Sequence, residues 1–339
     1  MLANKAIKSI SIMVIICFSL IISIPMVILS TTLSHYGRII ESVTFYYKPL
    51  NSSIIEELNI ISDLGNIEIE YIDPPVDYFV KIDINIEMVG SGLAEKIYSD
   101  YFDIIEGNLT GSPIDFSMKF LSDIYDPEVS SLIKDVSIKV NLRKDIIFDI
   151  SVTLINGRVS INVPFNVRIN NMKVNITKGN ILFDLSNCIV EGNITGIANQ
   201  SNIELRTYNV QYTRNSIWYL KNDAGDIKFD IFQSNEMGAN VTGIGEIYSN
   251  NAIINVVYYD TSTNVGAVIT FNNWAEYFPS PCTWIGFNYS YLYTDPMGYI
   301  FKSYDFPTKN SYNLSLHRNT VENSNPYYWN LYSEPIDNN

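Results

Sequence analysis

Five carboxylates recur along the middle of the chain: Asp184, Glu204, Asp226, Asp230 and Glu246. On one outer face of a β-helix, grouped Asp and Glu side chains can bind calcium or divide acid–base work on a polysaccharide. Here they fall at differing offsets, and Arg206 and Lys228 interleave with them. A solvated, solubilising face accounts for such a mixture. Asp63, Asp73 and Asp77 read as turn residues around Pro74 and Pro75. Nucleophilic hydrolysis would need a base beside Ser or Cys. No Gly-x-Ser-x-Gly elbow is present, and the two histidines, His35 and His317, lie far apart in sequence. Gly90-Ser91-Gly92 lacks the third glycine and the Lys-Ser/Thr pair of phosphate-binding loops. Three cysteines and two histidines are too few for a zinc, iron–sulfur or haem framework. No catalytic, cofactor-binding or metal-ligating residue is assigned, no cofactor is expected, and the chain reads as not an enzyme.

What must position any functional residue is a chain of 339 residues, 47% hydrophobic and 17% charged. That balance excludes a disordered chain and leaves ample material for a core. Acidic residues outnumber basic ones 36 to 22, for a net charge of −14. A surface of that sign repels phosphate backbones, so no nucleic-acid partner is expected.

Between Lys8 and Arg38 no residue carries a formal charge, taking His35 as neutral. Twenty helical residues from Ile10 to Leu29 would span about 30 Å, a bilayer's hydrocarbon thickness. The run exceeds a signal peptide's apolar core, and no Ala-x-Ala-like site follows. The expectation is a signal-anchor: one N-terminal transmembrane helix over 9–34, single-pass in the cell membrane. Lys5 and Lys8 would keep residues 1–8 in the cytoplasm and put the bulk outside. Cleavage of the segment is the alternative. Eight Asn-x-Ser/Thr sequons suit an outer location as candidate glycosylation sites: Asn51, Asn108, Asn175, Asn193, Asn199, Asn240, Asn288 and Asn313. Cys188 and Cys282 would either pair there or stay as buried thiols.

Period-two alternation dominates the rest. Val80-Lys81-Ile82-Asp83-Ile84-Asn85-Ile86-Glu87-Met88 is one run, and Ile147 to Leu154 is another. Helical spacing is confined to Leu93–Ile105 and Pro127–Lys134. Five related segments follow one another, starting at Gly157, Gly179, Ser201, Gly225 and Gly245, with a sixth copy at Gly65. Each has Gly or Ser, a polar residue, then apolar residues two apart, as in Gly179-Asn180-Ile181-Leu182-Phe183. Glycine permits a turn with positive φ, and one such unit cannot bury its own apolar face. Stacked units would align Val159, Ile181, Ile203, Ile227 and Ile247 in one interior column. The fold class is therefore mainly β, a short β-solenoid or β-helix-like stack, with an antiparallel β-sandwich as alternative. The expected divisions are a β-rich region with a helical insertion at 39–156 and the repeat solenoid at 157–270. An aromatic-rich C-terminal cap at 271–339 completes them. The segment 271–332 holds 18 aromatic residues in 62 positions, suited to closing a stack's end or to offering platforms to sugars or proteins.

This Gly-Asn/Asp-Ile-x-apolar recurrence resembles the "putative adhesin" family, over about residues 60–270 and best over 157–260. The resemblance implies a β-helical fold and a cell-envelope setting, and implies no ligand. The Ile-, Asn- and Tyr-rich composition resembles archaeal membrane-anchored proteins. The functional expectation is a membrane-anchored extracytoplasmic β-repeat protein with a structural, adhesion or partner-binding role toward a surface glycan or protein. The alternative is an envelope carbohydrate-active β-helix enzyme using surface carboxylates.

Overall fold

The computed structural model describes residues 36–48, 54–91, 93, 96–107, 112–121, 130–213, 215–233, 241–248, 254–260, 265–272, 283–285, 287–292, 298–303, 310–318 and 329–335. Six strands form the first part: β1 (Tyr36–Tyr47), β2 (Ile55–Ile72), β3 (Val80–Ser91), β4 (Phe102–Glu106), β5 (Ile114–Phe120) and β6 (Ile133–Arg143). Alternation sets their faces. In β3, Val80, Ile82, Ile84, Ile86 and Met88 are buried, while Lys81, Asp83, Asn85 and Glu87 face outward. Strand β1 pairs antiparallel with β3, and β3 antiparallel with β6. Strand β6 then runs parallel to the second half of β2, and β5 parallel to its first half.

Next come β7 (Ile147–Val163), β8 (Arg168–Ile169), β9 (Met172–Ser186), β10 (Ile189–Val190), β11 (Ile194–Tyr208), β12 (Gln211–Tyr212), β13 (Ser216–Ala224) and β14 (Ile227–Gln233). Strands β2, β7, β9 and β11 lie side by side in parallel register. Strand β11 divides its two halves between β13 and β14. The two-residue strands β8, β10 and β12 form a separate parallel sheet. Each coil thus has two long runs and one short one. The pairing is parallel, not that of the antiparallel sandwich alternative.

Two corners repeat, for two reasons. Gly65, Gly157, Gly179 and Gly225 all have φ between 125° and 143°. A Cβ on Gly157 would strike the Gly65 carbonyl oxygen, and one on Gly179 that of Gly157. The backbones stack in direct contact here, so glycine is required. At the other corner Asn166, Asn187 and Asn209 take φ of 62°, 50° and 50°, the left-handed region that Asn tolerates. The amide of Asn187 donates to the Tyr208 carbonyl, and that of Asn209 to the Phe232 carbonyl.

The interior is built of columns. Ile138, Ile67, Val159, Ile181, Ile203, Ile227 and Ile254 follow one another across neighbouring strands, none more than 1% exposed. The expected fifth repeat departs from this column: Ile254, not Ile247, lies beside Ile227. Strand β15 (Val241–Ile247) pairs with β13, and β16 (Ile254–Asp260) with β14. Further rungs come from β17 (Val265–Asn272), β18 (Thr283–Ile285), β19 (Phe287–Leu292), β20 (Gly298–Ser303), β21 (Asn310–Arg318) and β22 (Trp329–Pro335). Strand β21 runs parallel to both β15 and β17, and β22 parallel to β16. Tyr312 of β21 enters the core beside Trp218, Tyr212 and Tyr258, with ring centroids 5.4–6.5 Å away.

Three expectations need correction. Among the described residues of Leu93–Ile105, the one helical element is a 3-10 turn at Tyr98–Asp100, after which Phe102 opens β4. Of Pro127–Lys134, residues 127–129 lie outside the described residues, Ser130 is helical, and Ile133 and Lys134 open β6. Alternation within Phe102–Glu106 and Ile133–Arg143 outweighs the short helical spacing around them. Among the described residues, no helix is long and apolar enough to cross a membrane. The fold class is thus mainly β without the expected transmembrane helix, and the single-pass membrane localisation is set aside with it. Residues 1–8 and 9–34 lie outside the described residues.

Candidate binding face

Because side chains alternate, the run after each glycine corner presents its polar set on one outer face. In one outer column Ser42, Asn85, Ser137, Asn66, Arg158, Asn180 and Asn202 lie on successive strands. The next column runs Thr44, Asp83, Lys139, Glu68, Ser160, Leu182, Glu204 and Lys228. A third places Asn162, Asp184, Arg206 and Asp230 together.

The carboxylates singled out from sequence divide between two faces. Asp184, Glu204, Asp226 and Asp230 share this one. Glu204 accepts from Arg206 Nε at 2.9 Å and Nη2 at 3.0 Å, and from Lys228 Nζ at 2.8 Å. Lys228 also reaches Asp230 at 3.2 Å. Burial raises the pKa of Glu204, but the bonds from Arg206 and Lys228 outweigh it and hold the carboxyl below its ordinary range. A general acid needs the opposite shift. Glu246 lies on the other long outer face, accepting from Tyr219 Oη at 3.1 Å and Tyr248 Oη at 3.3 Å. Lys221 sits 4.7 Å above the Tyr248 ring. The register brings His317 opposite Glu246, which the sequence separation concealed. Among the described residues, no group of three or more His, Cys, Asp or Glu is placed to hold a metal ion.

At the junction where β6 and β7 flank β2, the outer face sinks into a hollow of about 430 Å³. Asn66, Glu68, Asn85, Ser137, Lys139, Arg158 and Ser160 line it. Lys139 is held by Glu70 at 2.7 Å, and Asn85 Oδ1 accepts from Ser42 at 2.7 Å. A second hollow of about 260 Å³ adjoins it through Asn66. Sequence reasoning missed Arg158, the residue that follows Gly157 at the start of its repeat unit. The signal was available: the same place holds Asn66, Asn180, Asn202, Asp226 and Glu246 in the other units, and Arg158 is the one cation.

The sequons are scattered. Asn193 and Asn199 are exposed, while Asn175 and Asn313 are half-buried. Asn193 Oδ1 accepts from the Ile217 amide at 3.0 Å. Asn288 lies on β19, and Asn51, Asn108 and Asn240 lie outside the described residues. Cys188 is a buried free thiol, its pKa pushed up to about 12 by burial, and Cys282 lies outside the described residues.

No protein-family model matches the chain. No curated protein matches it either. Among solved structures, it is similar to a "putative cell adhesion protein" from Clostridium sporogenes. The identity is 11% and the TM-score 0.32, over 87% of this chain and 100% of that one. A "putative adhesin" from Parabacteroides distasonis is 10% identical with a TM-score of 0.23, over 86% of this chain and 97% of that one. One from Parabacteroides merdae is 13% identical with a TM-score of 0.22, over 66% and 90%.

Proposed function

We propose that the chain is a non-catalytic binding protein of adhesion type, a stack of β coils whose outer polar face holds a surface glycan or a protein partner. The observation that carries this reading is the hollow at the β2–β6–β7 junction, a concavity with converging polar groups on a rigid sheet. Support against turnover comes from Glu204, whose ion pairs favour the charged carboxylate rather than a proton donor. Residues 157–270 supply the repeats in this account, and 271–339 closes the stack, as the pairing of β21 with β15 and of β22 with β16 suggests. Among the sequons with described side chains, exposed Asn193 and Asn199 are the best open to glycosylation.

The test is calorimetric titration of the full chain with a panel of polysaccharides, followed by assay of each for new reducing ends. Saturable binding with the polysaccharide intact supports the reading. Cleavage of any bound polysaccharide, or a Ser137→Phe variant that folds and binds as wild type, contradicts it.

A further inference from the structure

Arginine on this surface is otherwise spoken for. Arg38 pairs with Glu87 at 3.0 Å, Arg143 with Asp145 at 2.6 Å and Arg206 with Glu204 at 2.9 Å. Arg168 donates through Nε to Glu191 at 2.8 Å. Arg158 alone among the arginines with described side chains has no carboxylate within 4.0 Å, although the chain carries an excess of 14 negative charges. It stands in the lining of the larger hollow. A guanidinium presents paired donors in a plane, the geometry that matches a carboxylate. Around it, Asn66 and Asn85 offer amide donors, Ser137 and Ser160 hydroxyls, and Glu68 an acceptor. Apart from Ile67 and Ile138, which are only 1% and 0% exposed, every residue of the lining is polar or charged.

From this we infer that the hollow binds an acidic saccharide, with Arg158 clamping the carboxylate of a uronic acid residue. The inference rests on reading the hollow as the binding site. Ring hydroxyls both donate and accept, which suits Glu68 together with the amides. A sugar ring brings several hydroxyls to this lining beside its carboxylate, where an acidic peptide side chain brings the carboxylate alone.

The experiment titrates the full chain with oligogalacturonate, with a neutral maltooligosaccharide of equal length and with an oligoglutamate peptide. Wild type is expected to bind oligogalacturonate at least tenfold more tightly than the other two. Arg158→Gln removes that preference, Arg158→Lys weakens it, and Arg38→Gln leaves it unchanged. Thermal melts of the variants guard against misfolding, since Arg158 is exposed. Equal binding of neutral and acidic sugars, preference for the peptide, or no binding of oligogalacturonate overturns the inference. Should Ser137→Phe abolish saccharide binding while Arg158→Gln does not, the carboxylate clamp is wrong and the hollow remains the site. Should neither variant change any affinity, both readings fall.

Discussion

The ammonium of Lys228 donates to Glu204 Oε1 at 2.8 Å from the neighbouring coil, 24 residues along the chain. Arg206 completes the arrangement from the Glu204 strand itself, and Asp230 from that of Lys228. The pattern ties adjacent coils together through their outer face and holds Glu204 in its charged form.

Replacing Glu204 with Gln should cost about 1 kcal/mol at neutral pH, the scale of a partly exposed ion pair. Its folded pKa is lowered, so its stabilisation is present above the ordinary value of 4.5 and lost as pH falls through the folded one. Urea midpoints of wild type and Glu204→Gln should therefore differ at pH 7 and converge as pH falls below the folded pKa. A gap that persists at low pH would assign the loss to packing instead.

Gly179→Ala should destabilise by about 3 kcal/mol, since φ of 132° and the Gly157 carbonyl both exclude a Cβ. Ser201 follows Gly179 in the same register, and its φ is not positive. Ser201→Gly should accordingly cost much less. Chemical denaturation compares the two, and equal losses would mean that the corner does not demand glycine.

These corners mark how far the sequence could be read. Glycines 65, 157, 179 and 225 announce their turns because the flanking polar–apolar pattern recurs with them. Gly245 carries the same local pattern for another reason. It lies in the straight strand β15, where a Cβ would come within 2.9 Å of Leu316 and 3.3 Å of Phe229. A short pattern cannot separate a glycine that turns the chain from one that makes room in the core, so Ile247 was placed in the wrong column. The asparagine corner was legible in the regular recurrence of Asn166, Asn187 and Asn209, but asparagine is too common here to stand out. Strands β8, β10 and β12 are two residues each, too short to show alternation. The hollow depends on β6 meeting β2 from 60 residues or more away, which no local pattern encodes.

Asn222 is fully buried, and its amide donates to the Ser201 carbonyl at 2.5 Å and the Asp226 carbonyl at 3.3 Å. Asn222→Leu would leave both acceptors without that donor in a dry corner, at a cost of about 2 kcal/mol. A thermal melt checks this. An unchanged midpoint would show that other donors satisfy the corner.

Burial and the bond to Glu246 push the Tyr219 phenol up to about 12. Spectrophotometric titration of wild type against Glu246→Gln should show one tyrosine ionising at lower pH in the variant, because removing the carboxylate removes a charge that disfavours phenolate. No change would place Tyr219 under the control of burial alone.

The most direct test of the binding site is a map of backbone amide chemical shifts on the full chain as oligogalacturonate is added. Changes should cluster at Asn66–Glu68, Asn85, Ser137–Lys139 and Arg158–Ser160. Changes confined instead to the Tyr219–Tyr248 face or to residues 310–335 would contradict the assignment of this hollow.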